Sequence, residues 1–389
     1  MSARQRIIAT VLIVATAALA AACGSTHPGA GPAPATGQVT TSLPIATSLA
    51  GPGQPGWAVV PMGGSSKGHD SFWELFVRAT SSDQWKAATP PGVASNGGLA
   101  VAGAGSGLVA GFQPSQDLTF SPLASIASPA AAWSEGNALV NPGLASVPGA
   151  LAAGPDHQLL ALTRTGEVLL STSDGTSWTH LTTLQSLQRT AAGRSCGLTA
   201  LTAVAFGTGG VPLVGGSCAR PGTAGIFAAE REAAPGSVPS LSAGLAGPVT
   251  VVGLTTQANR TVALIQLGAG YSTRVLAAWL PNGASQWTVS AADATGGGPP
   301  RSREIWADGS AALVLAGGKA DTISAMGSSW RSLPQLPAGT ATLALGPAGQ
   351  LQALVPSGAT LTVWQLAPSG VGWDRLQQLK VTIPDGSSG

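Results

Sequence analysis

From about Trp57 onward the chain never holds one hydrophobic pattern for long. Apolar runs of four to eight residues are cut off by Gly, Pro, Ser or Asn, and no segment carries a sustained helical period. Runs that short, bounded by turn formers, read as strands. The punctuation is itself periodic. Trp85, Trp133, Trp178, Trp287, Trp330 and Trp373 each follow a polar turn, at intervals of 48, 45, 109, 43 and 43 residues. The long interval reads as two units with one Trp missing, near Pro235, which gives seven closures at about 48 residues per unit. A second signal agrees with the first. Gly154-Pro155, Leu159, Ala161-Leu162, Gly166 and Leu169 recur 192 residues later as Gly346-Pro347, Leu351, Ala353-Leu354, Gly358 and Leu361.

Four short strands fit a unit of this length, so the chain is expected to be all-β and to form a β-propeller over residues 55–389. Seven blades are preferred, with six or eight as alternatives. A β-sandwich lacks such a period and the rungs of a β-helix are shorter. Eleven Trp and 44% hydrophobic residues supply the core. Only 9% of residues are charged, against about 25% in an ordinary domain, which leaves little material for acid–base catalysis or phosphate binding.

One turn carries a resemblance. Ser171-Thr172-Ser173-Asp174-Gly175-Thr176-Ser177-Trp178 resembles the Asp-box, or BNR repeat, of sialidase-like propellers, with Ser171, Gly175 and Trp178 in register and Asp174 one place late. The resemblance implies structural roles: hydroxyl and carboxylate satisfy turn amides, Gly175 supplies a positive φ, and Trp178 packs between blades. In that family these boxes lie away from the active site, so the likeness speaks for a fold and not for a reaction.

The amino-terminal end reads as an export signal. Arg4 and Arg6 precede the uncharged run Ile7 to Ala22, which is too short as a helix to span a bilayer. Leu19-Ala20-Ala21-Ala22-Cys23 resembles a bacterial lipobox, with the Leu one position earlier than usual. That resemblance implies a signal peptide over 1–22, lipidation of Cys23 and a lipid anchor on the extracytoplasmic face of the cell membrane; a cleaved signal and a secreted protein are the alternative. Residues 23–54 are rich in Gly, Pro, Ala, Ser and Thr, without formal charge, and read as a disordered tether. Arg outnumbers Lys 14 to 4, which suits an actinobacterial-type, high-GC source. Loss of the signal leaves sixteen basic and sixteen acidic side chains, a balance that argues against a nucleic-acid partner.

With Cys23 lipidated, Cys196 and Cys218 remain as a pair. Between them lie Leu201 to Phe206, the turn Gly207-Thr208-Gly209-Gly210 and Val211 to Val214, so a hairpin brings the two Cys nearly opposite each other at its open end. A disulfide is expected there, with a pair of buried thiols as the alternative. Neither Cys has a further Cys or His at metal-ligand spacing, and His27, His69, His157 and His180 have none either. No metal or cofactor is expected.

Catalytic readings find little support. A sialidase-like site needs three converging Arg and a Tyr nucleophile; Tyr271 is the sole Tyr, and Arg78, Arg164, Arg274, Arg303 and Arg375 lie in different repeats. Gly64-Ser65-Ser66-Lys67-Gly68 matches a nucleophile-elbow pattern but reads as a hairpin tip. Gly105 to Ala110 leads into more strand and reads as a turn. Two long connectors stand out instead: Thr89 to Gly98, with Asn96, and Gly111 to Pro122, with Phe112, Gln116 and Asp117. They are candidate binding loops; the plainer reading makes them inter-blade linkers with Phe112 and Phe120 as core plugs. The expectation is a monomeric, non-catalytic binding or scaffold propeller for a protein or glycan ligand, with a sialidase-like glycoside hydrolase as the alternative. An assembly factor for a membrane complex would share this sequence signature.

Overall fold

A computed structural model describes most of residues 55–88 and 148–381, together with the strand segments 38–39, 47–49, 99–104, 107–112 and 123–126. β1 (Gln38–Val39) comes first and joins a later sheet. The first sheet is the antiparallel meander β2 (Thr47–Leu49), β3 (Gly56–Gly63), β4 (Ser71–Arg78) and β5 (Trp85–Ala87); the second is β6 (Leu99–Ala104), β7 (Gly107–Phe112) and β8 (Leu123–Ile126). The third adds β1 to the inner edge of β9 (Ala150–Ala153), β10 (Leu159–Leu162), β11 (Glu167–Ser171) and β12 (Thr179–Thr183). Two short helices follow, α1 (Leu184–Arg189) and α2 (Ala191–Cys196).

An eight-stranded sheet comes next. It divides into two meanders, β13 (Leu198–Phe206), β14 (Pro212–Cys218) and β15 (Gly225–Ala228), then β16 (Val249–Gln257), β17 (Arg260–Leu267), β18 (Arg274–Pro281), β19 (Thr288–Val289) and β20 (Asp293–Ala294). They join where Ser217 pairs with Thr250 and Cys218 with Val249. The last two sheets are β21 (Ser302–Ile305), β22 (Ala311–Val314), β23 (Ala320–Ile323) and β24 (Arg331–Ser332), and β25 (Thr342–Leu345), β26 (Leu351–Ser357), β27 (Thr360–Leu366) and β28 (Trp373–Lys380). The first strand of each meander lies beside the first strand of the next: β6 by β9, β9 by β13, β13 by β16, β16 by β21, β21 by β25, and β25 by β2. The chain is an all-β propeller with these strands innermost.

The sequence periods have structural meanings. Trp85 and Trp373 open β5 and β28, while Trp178, Trp287 and Trp330 directly precede β12, β19 and β24. Each marks the start of the outermost strand of its meander. Trp133 and Pro235 lie outside the described residues. The 192-residue echo superposes the β9–β10 turn on the β25–β26 turn: Gly154 N donates to Gln158 O at 2.8 Å and Gly346 N to Gln350 O at 2.7 Å. Gly154 is needed because a Cβ there would sit 2.7 Å from the Phe206 ring of the next meander.

Two-residue alternation splits each sheet between its neighbours. In the third sheet Ala150, Ala152, Leu160, Leu162 and Val168 meet Val204, Phe206 and Val214 of the fourth meander. Leu151, Ala153, Leu159, Ala161 and Leu169 turn the other way and pack with Trp178.

Two features depart from the sequence reading. The segment 23–54, expected to be a tether throughout, contributes paired strands: Gln38 and Val39 pair with Ala153 and Ala152, and Thr47 to Leu49 pair with Val59 to Trp57. Strands of two or three residues have no period to detect. Nor did the sequence reading foresee α1 and α2, each six residues long. Both depend on caps rather than on an apolar stripe: Thr183 Oγ1 accepts from Ser186 N at 3.1 Å, Thr190 Oγ1 accepts from Gly193 N at 3.0 Å, and Gly197 closes α2 in the left-handed region at φ 65°. Among the described residues no helix is long and apolar enough to cross a membrane.

The first and last sheets close the ring without sharing a strand. Trp85 is fully buried and its Nε1 donates to Gln352 Oε1 at 2.9 Å. The Gln377 side-chain amide then acts as one more strand residue, its Oε1 accepting from Trp85 N at 2.8 Å and its Nε2 donating to Trp85 O at 2.9 Å. Arg78, also buried, donates to Leu345 O at 3.1 Å. At one end Gly63 N donates to Gly358 O at 2.8 Å.

Candidate functional site

Each meander runs inner strand, turn, second strand, turn, third strand, so its second turn lies at the end where the inner strand begins. Cross-sheet contacts align these ends. Gly63 and Gly358, both beside second turns, are bridged, and the starts of β21 and β25 meet through Ser302 and Thr342. The start of β21 also reaches the end of β17 through Arg303 and Gln266. The ring thus has one end formed by inner-strand starts and second turns, and an opposite end formed by first turns such as 346–350.

The strand ends that flank the two candidate loops fall at the first of these ends. Leu99, which opens β6, pairs directly with Phe112, which closes β7. The connector before β6 and the connector after β7 therefore start from neighbouring backbone positions. Asn96, Gln116 and Asp117 lie outside the described residues. At the same end the β17–β18 turn raises Tyr271 to 89% exposure.

A polar cluster lies below this rim, between the inner strands of the last two sheets. Glu304 is buried, and its Oε1 accepts from the hydroxyls of Ser302 and Thr342. Ser302 and Thr342 are themselves 3.1 Å apart. Side chains at 302 and 304 share one face of β21, which turns them towards β25. Position 303 faces the other way, and Arg303 Nη1 donates to Gln266 Oε1 at 3.2 Å. Burial pushes the Arg303 guanidinium below its ordinary pKa, and the adjacent Glu304 carboxylate opposes that shift. A second polar link joins the fourth and fifth meanders, where Ser217 Oγ and Thr250 Oγ1 lie 3.0 Å apart and Thr202 Oγ1 donates to Val251 O at 2.6 Å. These groups bond to one another across blade boundaries. Such an arrangement holds neighbouring blades in register. Sequence reasoning missed Glu304, because Ser-Arg-Glu reads as solvated.

The groups that a sialidase-like site would bring together are dispersed. Arg78 is buried in the ring closure, Arg303 lies between the fifth and sixth meanders, and Arg164, Arg274 and Arg375 are exposed on three different sheets. Residues 64–70, including Ser66, connect β3 to the antiparallel β4, so a strand follows where a nucleophile elbow needs a helix. His180 is exposed, and the other three His lie outside the described residues. No group of three metal-ligating side chains occurs among the described residues.

In the Asp-box-like turn Gly175 N donates to the buried Ser171 Oγ at 2.9 Å and Gly175 adopts φ 81°. Asp174 lies outside the described residues. Trp178 is half-buried against Leu144, Leu151 and Leu159. Trp178→Ala should therefore cost about 2 kcal/mol in chemical denaturation, below the ~3–5 kcal/mol of a fully buried Trp; a loss under about 0.5 kcal/mol would place the ring in solvent. Cys196, the last residue of α2, is bonded to Cys218, with Cα atoms 5.2 Å apart. Cys23 lies outside the described residues.

No protein-family model matches the chain, and no curated protein sequence matches it. Solved structures do. A 6-phosphogluconolactonase-like protein from Bacteroides uniformis aligns at 12% identity over 84% of this chain and 97% of that one, with a TM-score of 0.51. YCF48 from Cyanidioschyzon merolae aligns at 15% identity over 86% of this chain and all of that one, with a TM-score of 0.50. Both are β-propellers, and at these identities what this chain shares with them is the propeller fold.

Proposed function

We propose that this chain is a non-catalytic binding or scaffold propeller, anchored through a lipid on Cys23 at the outer face of the cytoplasmic membrane, with a protein or glycan as its ligand. The eight-stranded sheet is read as two blades, which makes seven, and the turn at Ser171 to Trp178 is read as an Asp-box. One observation carries the assignment of the binding face: the Leu99–Phe112 pairing starts both long connectors from the same end of the ring, the end that also displays Tyr271. Loops on a rigid closed scaffold are the usual place for recognition. The balanced charge of the mature chain favours polar and aromatic contacts over ionic steering.

The test is a photo-crosslinking amino acid placed at Tyr271 or at Ala348, an exposed position in the opposite-end β25–β26 turn, in cells of the source organism. Adducts are expected from position 271. Adducts from 348 alone would assign the wrong face, and turnover of fluorogenic sialosides that Tyr271→Phe abolishes would move the reading to a glycoside hydrolase. Cys23→Ala should shift the protein from the membrane to the soluble fraction. Unchanged membrane retention would sink the anchor.

A further inference from the structure

We infer that the amino-terminal segment threads the central channel and so fixes which end of the ring faces the membrane: the first-turn end faces it, and the connector end looks away. The orientation rests on the Cys23 anchor proposed above, whereas the threading does not. β1 is the inner neighbour of β9, itself an innermost strand, and it lies beside β6, β13 and β16, the innermost strands of other meanders. A segment with those neighbours occupies the channel.

Its direction follows from register. Gln38 pairs with Ala153 and Val39 with Ala152. Ala153 adjoins the β9–β10 turn, so the chain arrives at Gln38 from the first-turn end and runs towards the connector end. It then reverses before β2, which pairs antiparallel with β3.

Only fourteen residues lie between Cys23 and Gln38, fifteen residue-to-residue steps. Fully extended they span about 50 Å, and as a flexible coil they average about 20 Å. To lay the connector end on the bilayer, the same stretch would have to cross a blade and climb its side. Four strands at about 4.8 Å spacing, the channel radius and an eight-residue strand together require about 50 Å. That path uses the whole contour length and leaves no slack, so the connector face is presented to the space outside the membrane. The partner it fits is a macromolecule approaching from that space, not the lipid surface.

Two measurements on the full-length chain separate the parts of this inference. Val39→Cys with Ala152→Cys places two Cys at an antiparallel pair, where Cα atoms lie about 4.5–5.5 Å apart, within disulfide range. Mild oxidation should link the two positions, as read by mass spectrometry of proteolytic fragments, whereas Val39→Cys with Ala348→Cys should stay unlinked. Absence of the 39–152 link would overturn the threading. In spheroplasts, a maleimide on a bulky polymer should label Tyr271→Cys at the rate seen in detergent and Ala348→Cys roughly fivefold more slowly than in detergent, because a tether averaging about 20 Å leaves little room beneath the ring. Equal protection at both sites, or protection at 271 alone, would overturn the orientation. Release of the unaltered protein into the supernatant with the 39–152 link intact would refute the anchor and leave the threading standing.

Discussion

Trp85→Ala should destabilise the folded domain by about 4 kcal/mol, the largest loss expected from any single change in the chain. Trp85 is fully buried in a cluster shared by the two end sheets, with Ala58 and Phe76 on one side and Leu354 and Val363 on the other. Truncation leaves a cavity across the junction and leaves Gln352 Oε1 without its indole donor. Arg78, whose guanidinium carbon sits 5.7 Å from the ring centroid, loses its aromatic neighbour as well. Trp279 and Trp306 are equally buried, but their indole N–H groups have no acceptor within hydrogen-bond distance. Trp85 therefore couples packing and hydrogen bonding in one residue. Gln377→Ala keeps the packing and deletes only the paired amide bonds, for an expected cost of about 1–2 kcal/mol. Denaturant titrations of both variants check the pair. A Trp85→Ala loss below about 1 kcal/mol would mean that the two sheets are held together elsewhere.

Replacing Cys196 and Cys218 together by Ala should cost about 3 kcal/mol, the loop-closure value for a bridge spanning 22 residues. The bridge ties the end of α2 to the end of β14, where β14 also meets β16. Both half-cystines are buried, so Ala avoids leaving a buried hydroxyl behind. Unfolding of the unaltered protein in reductant should converge on the midpoint of the double variant. Identical midpoints with and without reductant would show that the caps at Thr183, Thr190 and Gly197 hold this segment unaided.

Much of the fold was legible because its punctuation is chemical. A Trp at the start of an outermost strand and a Gly-Pro at a first turn are conspicuous residues in fixed places, and their spacing is the spacing of the blades. The ring closure left no such trace. Gln352 and Gln377 are ordinary amides in ordinary strands, and their partner lies 267 and 292 residues away. The channel segment was hidden for another reason. Gln38 and Val39 lie in a stretch with the composition of a linker, and they form a strand because the inner edge of β9 offers unpaired backbone groups. Of the candidate site, the sequence marked the two connectors by their length and turn residues; that they leave from one end follows from the Leu99–Phe112 register, a long-range fact. Glu304 was invisible because a hydroxyl that donates to it, that of Thr342, lies 38 residues away.

The closure at Trp85 also sets an order of events. Each blade is built from hairpins whose turns span a few residues and can form within about 1–10 μs, whereas the contacts of Gln377 with Trp85 need both ends of the propeller at once. Closure is the slow, non-local step. Until β26 and β27 emerge, the first sheet waits with Ala58, Val60 and Phe76 uncovered, and those residues later meet Leu354, Leu361 and Val363. That interval is the chain's exposure to misassembly and proteolysis. A chain truncated before Leu351 would remain in it permanently, an open arc with an apolar face at each end.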